Sequence, residues 1–234
     1  MPRDTLARFG LIALSTDLTI EADAARLLPA DCRLHVTRIA FENPTTRDNL
    51  LKTGPRLRDA ADLLVPGIDL RGVGFGCTSA SAVLGRAVED AIGHRGPVST
   101  PGASALRGFR ALGAERIALM TPYLAATADL VGDYFEAEGL QVTRRHSMGF
   151  EDDRDMAMLS GDEVIDFALE SDDPQAEALF MSCTALPAVG VIDRIEAKLG
   201  KPVISSNLAL FWAMLDIAKI PATGPGRLFQ VRSW

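Results

Sequence analysis

This sequence predicts a doubly wound α/β fold built from two similar halves. Three observations carry that expectation: short apolar runs alternate with helix-like stretches, the pattern recurs at an offset of 106 residues, and the bulk composition suits a sizeable core. With 234 residues and 47% hydrophobic content, the chain can bury such a core as one large domain or two small ones.

The runs at 9–14 (FGLIAL), 71–75 (RGVGF), 116–120 (RIALM) and 177–181 (EALFM) are short and bounded by turn residues, which suits strands buried on both faces of a sheet. A further strand-like run, CRLHVTRI, begins at Cys32. Helix-like stretches cover 50–64, 79–93, 102–112, 125–138, 186–199 and 206–218, and another starts near Thr19. Several end in glycine or are flanked by proline, as helix stops should be. Strand alternating with helix implies parallel sheets in doubly wound layers.

The two halves then align. Leu11–Ser15 (LIALS) matches Ile117–Thr121 (IALMT) at an offset of 106, and Cys77-Thr78 matches Cys183-Thr184 at the same offset. Pro97 and Pro202 follow at 105, a single gap. Two similar halves, each with Cys-Thr at a strand end, imply two similar domains facing one another across a cleft.

Each cysteine follows a buried-strand pattern and precedes a helix-like stretch. Each thiol is therefore expected at the carboxyl end of a strand and beside a helix N-terminus, where open α/β sheets bind ligands. Backbone N–H groups and the helix dipole favour thiolate over thiol there and attract a substrate carboxylate. A modest depression from the free-cysteine value of about 8.5 would bring the thiols near neutrality. A proton α to a carboxylate is weakly acidic, so an enzyme without metal or pyridoxal stabilises the enediolate with converging donors; Thr78, Ser79 and Thr184 stand beside the cysteines. Two thiols on opposite faces of a planar intermediate would take a proton from one side and return it to the other, which is racemisation. Cys77 and Cys183 are thus the candidate catalytic pair. Cys32 has no counterpart and reads as a small buried hydrophobe.

Other classes find little support. A net charge of -7 and a pI near 5.0 leave no basic surface for nucleic acid. The three cysteines show no CxxC spacing, and His35, His94 and His146 are scattered, so neither a metal nor a cofactor is expected. The six-residue apolar run before Ser15 is too short for a signal peptide, and no stretch approaches the roughly 18 apolar residues of a membrane span. A cytoplasmic protein with reduced thiols is the expectation. GVGFGC lacks the third glycine of a dinucleotide loop, and neither a P-loop nor a GxSxG elbow is present.

GFGCTSAS, FMSCTALPA, LMTPY and FENPTT together resemble the Asp/Glu racemase superfamily, from Gly10 to about Ala218. The nearest branches are maleate isomerase, arylmalonate decarboxylase and the racemase-like ectoine-utilisation proteins, and LSTDLT with FENPTT and FEDDRDMA looks most like the last. The resemblance implies two flavodoxin-like domains about a pseudo-twofold axis with the active site between them. The last helix returns to the first domain, giving residues 1–100 with 206–234 and residues 101–205. It also implies a homodimer. Cys77 and Cys183 match the two family cysteines, and Thr78, Ser79 and Tyr123 match groups that hold the substrate carboxylate. The decarboxylases keep only the second cysteine, with glycine in place of the first, so having both argues against decarboxylation.

Ser15-Thr16-Asp17 stands where maleate isomerases have SSN, making Ser15 and Asp17 candidate binding residues. A carboxylate there would repel a dicarboxylate and suits a substrate with a cationic group; as an alternative, Asp17 caps the helix near Thr19. The acidic run 151–155 reads as a solvated loop, with Asp153 close to a substrate-touching asparagine of the isomerases. The resulting expectation is a cofactor-independent racemase or isomerase of a small carboxylate, amino-acid-like or ectoine-derived. The alternatives are maleate-type cis-trans isomerisation by thiol addition, arylmalonate-type decarboxylation, and a non-catalytic ligand-binding protein.

Overall fold

A computed structural model describes residues 6–232. The first half runs β1 (Ala7–Leu14), α1 (Ile20–Leu27), β2 (Cys32–Ile39), α2 (Arg47–Leu51), α3 (Leu57–Asp62), β3 (Gly72–Gly76), α4 (Thr78–Leu84), α5 (Ala87–Ile92) and β4 (Val98–Ser99). The second runs α6 (Pro101–Leu112), β5 (Arg116–Thr121), α7 (Ala125–Ala137), β6 (Gln141–Ser147), α8 (Asp153–Ala157), α9 (Gly161–Ser171), β7 (Ala178–Met181), α10 (Ile192–Leu199), β8 (Val203–Ser205) and α11 (Ser206–Ile217). The strands form two four-stranded parallel sheets of the same topology, β2-β1-β3-β4 and β6-β5-β7-β8.

Strand register refines the internal alignment. Val73 pairs with Val98 and Leu179 with Val203, which reproduces the one-residue gap between offsets 106 and 105. The first strands differ, because Phe9 pairs with Gly72 whereas Ile117 pairs with Ala178. β1 and β5 are therefore related by 108 (Phe9 to Ile117), not 106. A two-residue slip leaves every side chain on its original face, so the apolar pattern matches equally well at both offsets. On the structural offset Ser15 corresponds to Tyr123 rather than to Thr121.

Two predicted helices are interrupted. The 79–93 stretch divides at Gly85, whose φ of +55° stops α4, and 50–64 divides into α2, a 3-10 turn at Gly54–Arg56 and α3. The helix expected from 186 is a loop up to Ala188, then a 3-10 turn that leads into α10. α9 was not anticipated, although Ser160 and Glu163 form the reciprocal capping box that marks such a start.

α11 is buried on all sides from Ser206 to Asp216, as a helix apolar around its whole circumference must be. It packs on α6, α1 and β3. Leu208, Leu210, Phe211, Trp212, Met214 and Leu215 are all at most 2% exposed, and each contributes about 1.5–3 kcal/mol by burial. Phe211 and Trp212 are thus core residues of this chain. Glycines in β3 permit the close approach: a Cβ on Gly74 would lie 3.1 Å from Met214 Sδ, and one on Gly76 would lie 2.4 Å from Ile20 Cδ1. Among the described residues no helix is long and apolar enough to cross a membrane.

Candidate active site

The carboxyl ends of β3 and β7 meet at one small cavity of about 20 Å³. That is room for about one water molecule, so a larger guest enters only as the walls part. Cys77, Thr78 and Ser79 border it from the first half; Tyr123, Asp153, Cys183 and Thr184 border it from the second. Leu14, Phe41, Thr45 and Ala185 complete the wall, and sequence reasoning named none of these four. Phe41 and Thr45 belong to the FENPTT segment that carried part of the family resemblance.

The two thiols are presented differently. Cys77 caps α4: its backbone is extended, and Sγ accepts the Ala80 N–H at 3.4 Å. Cys183 has φ +97°, a region that non-glycine residues rarely occupy and that marks stored strain at functional positions. A loop, not a helix, follows it. That loop is tied to the first half, since Thr184 Oγ1 donates to the Gly76 carbonyl (3.2 Å) and Thr19 Oγ1 donates to the Ala185 carbonyl (2.7 Å). Asn207 Nδ2 on α11 donates to both the Thr184 carbonyl and Asp23 Oδ2 (each 2.8 Å). The Cys183 thiol donates to Met156 Sδ at 3.8 Å.

Neither thiol has the depressed pKa expected from the sequence. Burial pushes Cys77 up to about 12, against the hydrogen bonds from Ala80 and Ser79 that lower it. Burial raises Cys183 as well. Desolvation outweighs the backbone N–H groups because both side chains are nearly inaccessible, and the negative charge of Asp17 acts in the same direction on both thiols. Burial likewise keeps the Tyr123 phenol neutral; its oxygen accepts from Ser182 Oγ at 3.3 Å.

The acidic run at 151–155 is a solvated loop only in part. Asp153 opens α8 and is 5% exposed. Asn43 Nδ2 donates to its Oδ1 (2.7 Å) and Thr16 Oγ1 to its Oδ2 (2.5 Å). Asp17 lies behind the wall, outside the lining. Its Oδ1 accepts the Thr19 and Ile20 N–H groups (2.8 and 2.9 Å), the capping alternative, while Oδ2 is buried without a hydrogen bond. Desolvation raises its pKa. Ser15 is exposed and takes the Phe41 N–H on Oγ (3.1 Å); it does not border the cavity. No lysine, arginine or histidine is among the described lining residues, so an anionic substrate group meets only hydroxyl and backbone donors. Among the described residues no group of three His, Cys, Asp or Glu side chains is placed to hold a metal ion.

A maleate isomerase from Nocardia farcinica is 27% identical over 241 residues, covering 94% of both chains. An arylmalonate decarboxylase from Bordetella bronchiseptica is 31% identical over 155 residues, covering 64% of each. The crystal structure of the maleate isomerase Iso from Pseudomonas putida S16 superposes with a TM-score of 0.87 at 25% identity, over 96% of this chain and 98% of that one. The Gly74Cys-Cys188Ser mutant of arylmalonate decarboxylase, in liganded form, gives 0.81 at 27% identity, over 95% and 98%. The family model for arylmalonate decarboxylase matches residues 74–229, which include both cavity thiols. The chain therefore belongs to the arylmalonate decarboxylase family, in the maleate isomerase and arylmalonate decarboxylase branch of the Asp/Glu racemase superfamily.

Proposed function

We propose that the chain is a cofactor-independent isomerase that exchanges the α-proton of a small, amino-acid-like carboxylate between Cys77 and Cys183. One observation carries the reading: a thiol from each half borders a single small cavity that holds hydroxyl donors and a carboxylate but no cationic side chain. The Ala80 N–H on Cys77 Sγ favours that thiolate, whereas the Cys183 thiol donates to Met156. Cys77 is accordingly the base. Its thiolate takes the α-proton, the C–H electron pair moves into the carboxylate as an enediolate, and the Cys183 thiol delivers a proton to the opposite face. The step ends with Cys77 as thiol and Cys183 as thiolate, and the reverse reaction restores the starting state. Thr78, Ser79 and the Tyr123 phenol act as the converging donors, while Thr184, whose hydroxyl proton goes to the Gly76 carbonyl, shapes the wall.

The raised thiol pKa values bear on the substrate. Asp153 and Asp17 contribute to the rise at Cys77. An ammonium group seated against Asp153 offsets that charge and brings the thiol closer to ionisation, whereas a second carboxylate adds to it. Similarity of the LSTDLT, FENPTT and FEDDRDMA segments to ectoine-utilisation proteins makes ectoine-derived amino acids part of the candidate set.

The test is a panel of amino acids, ectoine-derived acids, maleate and arylmalonates, followed by proton NMR in deuterated water without added cofactor. The expected result is loss of an α-proton signal, abolished in Cys77→Ala and in Cys183→Ala. Exchange that persists in both variants sinks the reading. Maleate-type isomerisation is the second reading, favoured by the maleate isomerase relative that spans 94% of both chains. It predicts a cis-trans conversion and a thioether adduct visible by mass spectrometry. A decarboxylase would release carbon dioxide with Cys77 dispensable, and a pure binder would keep its affinity in both alanine variants.

A further inference from the structure

We infer that Ser206 is a positioning residue: it holds the Cys183 backbone and turns the Thr78 hydroxyl proton toward the bound substrate. Ser206 opens α11 and is fully buried. Its hydroxyl is not used to cap the helix, because Ser205 Oγ takes the Leu208 N–H. Instead it makes two hydrogen bonds across the molecule. Ser206 Oγ accepts the Cys183 N–H at 3.0 Å and lies 2.7 Å from Thr78 Oγ1.

Hydroxyl bookkeeping fixes the direction of the second bond. A serine has one proton to give and two lone pairs to receive, and the Cys183 N–H occupies one lone pair. If Thr78 donated to Ser206, the Ser206 proton would be left unpaired in a fully buried place, which is costly. With Ser206 donating, Thr78 keeps its own proton free, and Thr78 borders the cavity. The same serine restrains the N–H of a residue held at φ +97°. At the 105-residue offset its counterpart is Pro101, which has no hydroxyl, so only the second thiol has this support.

The inference rests on the two-thiol reading for its kinetic consequences, and it has one consequence independent of turnover. Ser206→Ala is expected to lower kcat for α-proton exchange about ten- to a hundredfold, less than the roughly 10²–10³ for removing an oxyanion donor outright, because Thr78 itself remains. Ser206→Thr restores the hydroxyl and should return kcat to within about threefold of wild type. In a Thr78→Val background, Ser206→Ala should cost less than about twofold more, because residues acting as one unit are not additive. Amide hydrogen exchange at Cys183, followed by NMR, should be about tenfold faster in Ser206→Ala. Should alanine prevent folding, Ser206→Cys carries the same comparison, being close in size and a weak acceptor. Wild-type kcat in Ser206→Ala, multiplicative losses in the double variant, or unchanged Cys183 protection overturns the inference. Absence of exchange in the wild type would instead remove the two-thiol reading and leave Cys183 protection to decide this one.

Discussion

The ends of β3 and β7 occupy equivalent places in two sheets of the same topology, yet they present their cysteines by different devices. At Cys77 the chain passes straight from strand to helix, and the sulfur itself is the cap. At Cys183 the backbone takes a left-handed turn, and the chain there is fastened by Thr19 from the first half and by Ser206 and Asn207 at the start of α11. Duplication thus supplies two thiols bordering one space, and local divergence gives them different hydrogen-bond partners, the difference on which the proposed base and acid roles rest. The lesson is chemical: a symmetric scaffold does not impose a symmetric site, and directional chemistry uses the difference.

The bluntest way to break the comparison is to remove one partner. Cys77→Ala or Cys183→Ala should each reduce α-proton exchange about 10³-fold, within the usual reach of general acid–base catalysis; near-normal turnover in either would show that the halves do not cooperate. Substitution at Asp153 tests the cavity charge that acts on Cys77. Asp153→Asn should weaken binding of an ammonium-bearing substrate about tenfold, measured as KM. It should also move the rising limb of the pH–rate profile to lower pH, because the removed negative charge raises the Cys77 pKa.

A subtler probe compares the thiols directly. Timed alkylation with iodoacetamide and peptide mass spectrometry should label Cys77 before Cys183 as pH rises, since the Ala80 N–H supports the Cys77 thiolate while the Cys183 thiol donates to Met156; the reverse order would invert the assigned roles.

An effect on stability, not on turnover, concerns the support beneath the Cys183 loop. Asp23 is buried, and desolvation raises its pKa to about 6. Its protonated form is therefore favoured in the folded state, so the associated stability is present below the unfolded value near 4 and is lost as pH rises through about 6. The loss amounts to about 3 kcal/mol. Asp23→Asn, neutral throughout, should narrow the difference in Tm between pH 4 and pH 8; an unchanged difference would show that Asp23 does not carry it.

What the sequence reveals follows from the range of each interaction. The strand cores and the Cys-Thr pairs are legible because apolar runs are local signals and the duplication displays them twice. The register of β1 against β5 is not, since a pattern with period two is unchanged by a slip of two residues. Asp153 resembles any charged loop residue until Asn43 and Thr16, both distant in sequence, close over it. Ser206 carries no signal of its own beside Ser205 in a run of helix residues. The raised thiol pKa values escape the sequence for a related reason. A helix N-terminus can be read from adjacent residues, whereas desolvation is a property of everything packed around the sulfur.

Placement of deuterium in the first turnovers tests the central claim most directly. A single enantiomer of the substrate is incubated with the enzyme in deuterated water, and product and recovered substrate are analysed separately at low conversion. Sulfurs acting from opposite sides predict a product that carries a solvent deuteron and a remaining substrate that carries none. A product that retains the original hydrogen, or deuterium appearing equally in both, would mean that one group serves both faces and would contradict the account.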